Sequence, residues 1–178
     1  MKKTSILFTL LFAGIAAMAQ PKKTSGASVS FDASTPEDPV AVAVNKTVIA
    51  VLDTKTGTIG FEATVKNFAF ENKRVEEHFN AARWLNSAEF PTFTFKGKIT
   101  DLSKVNFAKD GSYKVNVAGD LTVKGVSNPL STPATLVVKA GNISGTASFN
   151  VNLPSYNIMA DGKKVSKEAK VTVNADFK

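Results

Sequence analysis

Asn86-Ser-Ala-Glu-Phe-Pro-Thr-Phe-Thr-Phe-Lys-Gly-Lys-Ile99 and, about thirty residues on, Gly119-Asp-Leu-Thr-Val-Lys-Gly-Val-Ser-Asn-Pro129 decide the fold. In the first stretch Phe93 and Phe95 alternate with Thr92, Thr94 and Lys96. Successive side chains of a strand point to opposite faces, so this segment has one aromatic face and one polar face. The second alternates Leu121 and Val123 with Asp120, Thr122 and Lys124, then reaches Gly125 and Asn128-Pro129, which reads as a turn.

The same period of two runs outward through most of the chain. Val29, Phe31 and Ala33 alternate with Ser30 and Asp32, and Ile59, Phe61, Ala63 and Val65 alternate with Gly60, Glu62, Thr64 and Lys66. Further on, Val115 and Val117, then Ala147, Phe149, Val151 and Leu153, then Val171, Val173, Ala175 and Phe177 repeat it. One dry face and one wet face is the signature of antiparallel sheets. Turn signals separate the strands at Asp53–Gly57, Asp110-Gly111, Gly141-Asn142 and Asp161-Gly162. Val40–Leu52 is less regular, with Val42 and Val44 in one parity and Ile49 and Val51 in the other; a bulge or a turn near Asn45-Lys46 reconciles the halves. From Val75 to Leu85 the period changes. Val75, Phe79, Ala82 and Leu85 have helical spacing, with Asn72 as the N-cap. Periodicity alone leaves a sandwich and a closed barrel both open.

At the N-terminus, Lys2-Lys3, an apolar run from Ile6 to Ala17 and Ala17-Met18-Ala19 form the layout of a secretory signal peptide. Residues 1–19 are therefore read as a signal peptide, residues 20–178 as one domain, and residues 20–26 as a frayed mature end. The run is shorter than the ~20 residues a bilayer span needs, and no permanent membrane anchor is expected. The expected location is periplasmic or secreted. The chain has no cysteine, which excludes disulfides, thiolate metal sites and a Cys nucleophile. Its formal charge of +7 comes from scattered lysines and one loose cluster, Lys163, Lys164, Lys167 and Lys170. Nucleic-acid binding asks for a dense basic stripe with interleaved aromatics, so no such partner is expected.

The single histidine, His78, stands beside Glu77, a neighbour that points about 100° away on a helix. No G-x-S-x-G elbow, G-x-G-x-x-G or phosphate loop is present. No catalytic or metal-binding residue is assigned, and the protein is read as a non-enzyme. The sequons at Asn45 and Asn142 are read as coincidence.

The two opening stretches together resemble the YceI-like family, in which S-x-x-F-P-x-x-x-F-x-G precedes a strand G-x-L-T-h-x-G-V-[ST]-x-P, h being apolar. Ser87, Phe90, Pro91, Phe95, Gly97, Gly119, Leu121, Thr122, Gly125, Val126, Ser127 and Pro129 stand at those places, and Glu77-His-Phe-Asn80 joins them upstream. Longer members carry a histidine after the first strand; Ser28–Ser34 here has none, so the chain is similar to a shorter subgroup. The resemblance implies an all-β, lipocalin-like antiparallel barrel of about eight strands, with the helix inserted between strands. It also implies an elongated apolar cavity that holds an isoprenoid lipid or quinone. Lining candidates from strand parity are Phe61, Val65, Phe93, Phe95, Val117, Leu121, Val123, Phe149, Val151 and Leu153. No cofactor is expected beyond such a bound lipid or quinone, the expected partner is a hydrophobic small molecule, and a homodimer is compatible with the sequence. The alternative is a stress-related or interaction barrel whose interior is filled.

Overall fold

The computed structural model describes residues 21–178; the signal-peptide reading falls on residues outside that range. In chain order the elements are β1 (Lys22–Asp32), β2 (Val42–Leu52), β3 (Thr58–Thr64), β4 (Ala69–Phe70), α1 (Lys73–Asn80), β5 (Thr92–Ile99), β6 (Gly111–Val123), β7 (Val126–Lys139), β8 (Asn142–Asn152) and β9 (Glu168–Phe177). Their antiparallel order is β1-β9-β8-β7-β6-β5-β3-β2, and β1 also pairs with β2. Eight strands therefore close into a barrel, and closure removes the exposed sheet edges. The two-residue β4 continues the wall beside Ala43 and Val44 of β2, beyond the end of β3.

The pairing of β5 with β6 explains the spacing of the two opening stretches. Phe95 lies opposite Leu121, Thr94 opposite Thr122, and Gly97 opposite Gly119. A Cβ on Gly97 would stand 2.5 Å from the Ala118 carbonyl and 2.6 Å from the Phe95 ring, and one on Gly119 would collide with the backbone of Lys96 and Gly97. Only glycine lets the strands meet there while the Phe95 ring lies flat along the wall. At the other end of this pair, the Phe90 ring occupies the space beside Gly125, where a Cβ would come within 2.7 Å.

Several sequence expectations are corrected. β1 begins at Lys22, so most of residues 20–26 is strand paired to β2 rather than a frayed end. Asn128-Pro129 is no turn; the chain reverses at Lys124-Gly125 with positive φ at both, and Pro129 sits inside β7. The helix stops at Asn80 because Ala81 is extended, and Leu85 is reached through a turn in which its N–H bonds the Phe79 carbonyl. Asn72 does cap the helix, its side chain accepting from the Arg74 N–H at 3.0 Å.

The bulge expected in β2 is present. Between the pairs Ala27–Val48 and Val29–Asn45, β2 carries one residue more than β1. Buried Asn45 holds it: the carboxamide donates to the Thr64 carbonyl at 2.9 Å and accepts from the Thr47 N–H at 2.8 Å and hydroxyl at 2.9 Å. Every polar atom of this side chain is engaged inside the wall, which leaves no access for glycosylation at the first sequon. Val42 and Ile49 face outward, while Ala43, Asn45, Val48, Ala50 and Leu52 face in.

Candidate functional site

The inward faces do not meet at the barrel axis. They enclose a cavity of about 570 Å³. Phe61, Phe93, Leu121, Ala134, Ala147, Phe149, Leu153 and Val171 all point inward yet are only half-buried. Their remaining accessible surface faces the cavity, whereas residues at one end of the barrel, such as Leu52, Ile99, Ile143 and Phe177, are fully packed. That end is closed by side chains.

Polar cavity neighbours gather at the opposite end. Asp38 lies in the loop after β1, Asn72, Arg74 and His78 on or beside α1, and Lys164 in the loop before β9. This end is the mouth. It is narrowed by five phenylalanines: Phe31 stacks on Phe79 with ring centres 5.4 Å apart, and Phe68, Phe70 and Phe93 complete the group. Phe79 is 4 % exposed and fixes α1 at the mouth, with Val75 packed against the same core and the Glu76 carboxylate accepting from the Phe70 N–H at 3.3 Å. His78 projects from the same helix at the rim, exposed, and the Glu77–Asn80 stretch has a structural part: the Asn80 carbonyl accepts from the Ser87 N–H and hydroxyl, both at 3.3 Å. The two sequence stretches upstream of β5 thus tie to each other directly.

The loop before β9 is shaped by the Asp161 carboxylate, which accepts from the N–H groups of Lys163, Lys164 and Val165 at 2.8, 2.8 and 3.2 Å. These bonds hold its pKa below the ordinary carboxylate value. The lysine cluster noted in the sequence is therefore placed at the mouth. Next to it, the 3₁₀ turn Leu153–Tyr156 buries Tyr156, whose hydroxyl pKa is raised by loss of water.

Nine of the ten lining candidates border the cavity. Val65 does not: it lies in a 3₁₀ turn, Val65–Asn67, where the strand has ended and the two-residue period no longer sets direction. Leu130, Thr132, Ala134 and Leu136 of β7, between β6 and β8, also line the cavity, and sequence parity leaves them out because Asn128-Pro129 reads as a turn. Val29, Phe31 and Val171 also line the cavity and were legible from their alternation. Thr132 is the one buried polar side chain among the described lining residues. No cluster of three or more metal-ligating side chains occurs among the described residues.

A family model, the YceI-like domain, matches residues 10–177. Protein YceI of Escherichia coli O157:H7 is 26% identical over 107 residues, covering 57% of this chain and 52% of that protein. A UPF0312 protein of Enterobacter sp. (strain 638) is 27% identical over the same length and coverage. The chain thus spans about half the length of the curated relatives it matches. Among solved structures, a polyisoprenoid binding domain from Saccharophagus degradans superposes with a TM-score of 0.75 at 10% identity, over 89% of this chain and 97% of that one. BcnA of Burkholderia cenocepacia gives 0.69 at 18% identity, over 84% and 95%. At these identities the likeness is one of fold.

Proposed function

The chain belongs to the YceI-like family, and on that footing we propose that it is an exported, non-catalytic protein that carries a long apolar molecule, an isoprenoid lipid or quinone, inside its barrel. The observation that carries this reading is the half-exposure of inward-facing residues around a cavity of about 570 Å³. A barrel of eight strands is at the size where the interior either fills with side chains or holds one small ligand; here large inward residues at both ends leave space between them. A largely apolar wall with charged groups only at the rim fits a ligand whose affinity comes from removing its surface from water, at roughly 25 cal/mol per Å². Phe61, Phe93, Phe95, Val117, Leu121, Val123, Phe149, Val151 and Leu153 form that wall, together with the β7 residues between β6 and β8. The name of the Saccharophagus domain agrees with the ligand class.

Protein purified from its own compartment, extracted with organic solvent and weighed intact under native conditions, tests this. The expected result is one co-purifying apolar species and a mature chain beginning at Gln20. An empty extract from protein that also fails to take up prenols favours the interaction barrel, and turnover of an ester substrate that is lost in His78→Ala refutes the non-catalytic reading.

A further inference from the structure

The barrel wall is not continuous between β7 and β8. Pairing runs from Lys139–Asn142 at the hairpin only as far as Ala134–Ala147, although β7 extends back to Val126 and β8 forward to Asn152. The sequence supplies the reason. In two-residue hairpins the closing pair exchanges both hydrogen bonds, so Lys139, Val137 and Thr135 direct their N–H groups at β8, and Val126 directs its own at β6. Continuing that alternation, residues 133, 131 and 129 should bond to β8. Residues 133 and 129 are prolines, with both rings exposed. They have no N–H to give, and the ladder stops one residue before Pro133 is reached. The Ser148 carbonyl, which residue 133 would have bonded, is left with the Thr132 hydroxyl at 3.5 Å.

The gap lies at the mouth end and is filled by Leu153–Ile158, which contributes Leu153 and Ile158 to the cavity wall. This segment is fastened to the β7 side by two side-chain bonds: Lys124 Nζ to the Asn157 carbonyl at 2.9 Å and Asn128 Nδ2 to the Ser155 carbonyl at 3.0 Å. No strand ladder crosses between β7 and this segment. We infer that the cavity has a second, lateral entrance between β7 and β8, and that Leu153–Ile158 is the strap that closes it. An elongated chain threading end-on must pass the five packed phenylalanines of the mouth. Sideways passage requires that the strap lift from β7, breaking the two side-chain bonds and exposing Tyr156 and Ile158, while the Leu153 N–H bond to the Lys167 carbonyl at 2.8 Å holds its other side.

This inference rests on the ligand-carrier reading, and one experiment separates the two. Geranylgeraniol bearing an anthraniloyl fluorophore is mixed with protein in a stopped-flow instrument, for wild type, the double variant Lys124→Met/Asn128→Ala, and Pro133→Ala; none of these side chains lines the cavity. A lateral entrance predicts that the double variant raises uptake and release together by about tenfold, as loss of one or two ordinary hydrogen bonds would, with Kd unchanged. Pro133→Ala, which restores a donor opposite Ser148, slows both. Should the double variant fail to fold, hydrogen exchange of the wild type decides: amides of residues 156–158 must exchange by local opening well before those of the β8–β9 ladder. Wild type that binds no probe refutes the carrier reading. Binding with rates unmoved by the variants, or strap amides protected as fully as that ladder, refutes the entrance alone.

Discussion

Enlarging Ala147 tests the open interior of the barrel. Ala147 sits on β8 opposite Ala134 of β7 and Val173 of β9, all three on the cavity wall. Ala147→Leu adds three carbons on the side facing empty space. Burying them there contributes roughly 2 kcal/mol at ~0.8 kcal/mol per methylene, offset by about 0.5–1 kcal/mol of rotamer entropy, for a net gain of about 1 kcal/mol. Ala50→Leu is the contrasting change. Ala50 also faces inward but is 1 % exposed and does not border the cavity, so the same three carbons should overpack it and cost about 1–3 kcal/mol. The two variants should therefore separate by about 2–4 kcal/mol in urea unfolding of lipid-stripped protein. Ala147→Leu should also retain less of a bulky prenol, because it shortens the free space. If Ala147→Leu loses as much stability as Ala50→Leu, the cavity is not open in solution and the carrier reading falls with it.

Three further outcomes follow from named contacts. Phe95→Asp places a carboxylate with no partner in the apolar wall and should abolish lipid retention with a stability loss readable by urea unfolding, while Thr94→Lys, beside Glu62 on the outer face, should leave both within error. Gly119→Ala should destabilise by about 1–3 kcal/mol or prevent folding, since its methyl meets backbone atoms of Lys96 and Gly97; unchanged unfolding in denaturant would show that β5 and β6 can separate there. Asp161→Asn should weaken the loop before β9 at neutral pH. Because the three N–H groups hold the folded pKa of Asp161 below the ordinary carboxylate value, the stability that wild type holds over the variant is complete above that ordinary value and declines as pH falls through the lower folded one; a difference that persists unchanged in strong acid contradicts the assignment.

The β5–β6 wall was readable in the sequence because the apolar–polar alternation holds through both stretches and Gly125 marks the end of β6. Where the reading missed, a second rule overrode the period. In β2 the parity change at Lys46-Thr47 was legible as an irregularity, and only its fastening was not, because the buried polar Asn45 that secures the bulge looks, in sequence, like a turn residue. At β7, proline next to asparagine signals a turn only if its missing donor would have been used; facing an unpaired stretch, it costs the strand nothing. Val65 follows the strand alternation in sequence but falls one residue past the strand's end.

The openness of the barrel lies beyond any local pattern, because it depends on which residues are brought opposite one another. Ala134, Ala147 and Val173 are small or slender and far apart in sequence, and they become one wall only through the β7–β8–β9 register. Across the lumen Phe95 would fill the space they leave, were its ring to stand upright. It lies instead over Gly97, where the absent Cβ and the close Gly97–Gly119 approach give it a flat seat. Bulk is thereby pushed to two layers, the phenylalanines of the mouth and the packed Leu52, Ile99 and Phe177 at the far end. A glycine pair that keeps the wall thin beneath an aromatic ring is thus as much a determinant of the cavity as any residue that touches its contents, because a Cβ on Gly97 would meet both the Phe95 ring and the Ala118 carbonyl of β6.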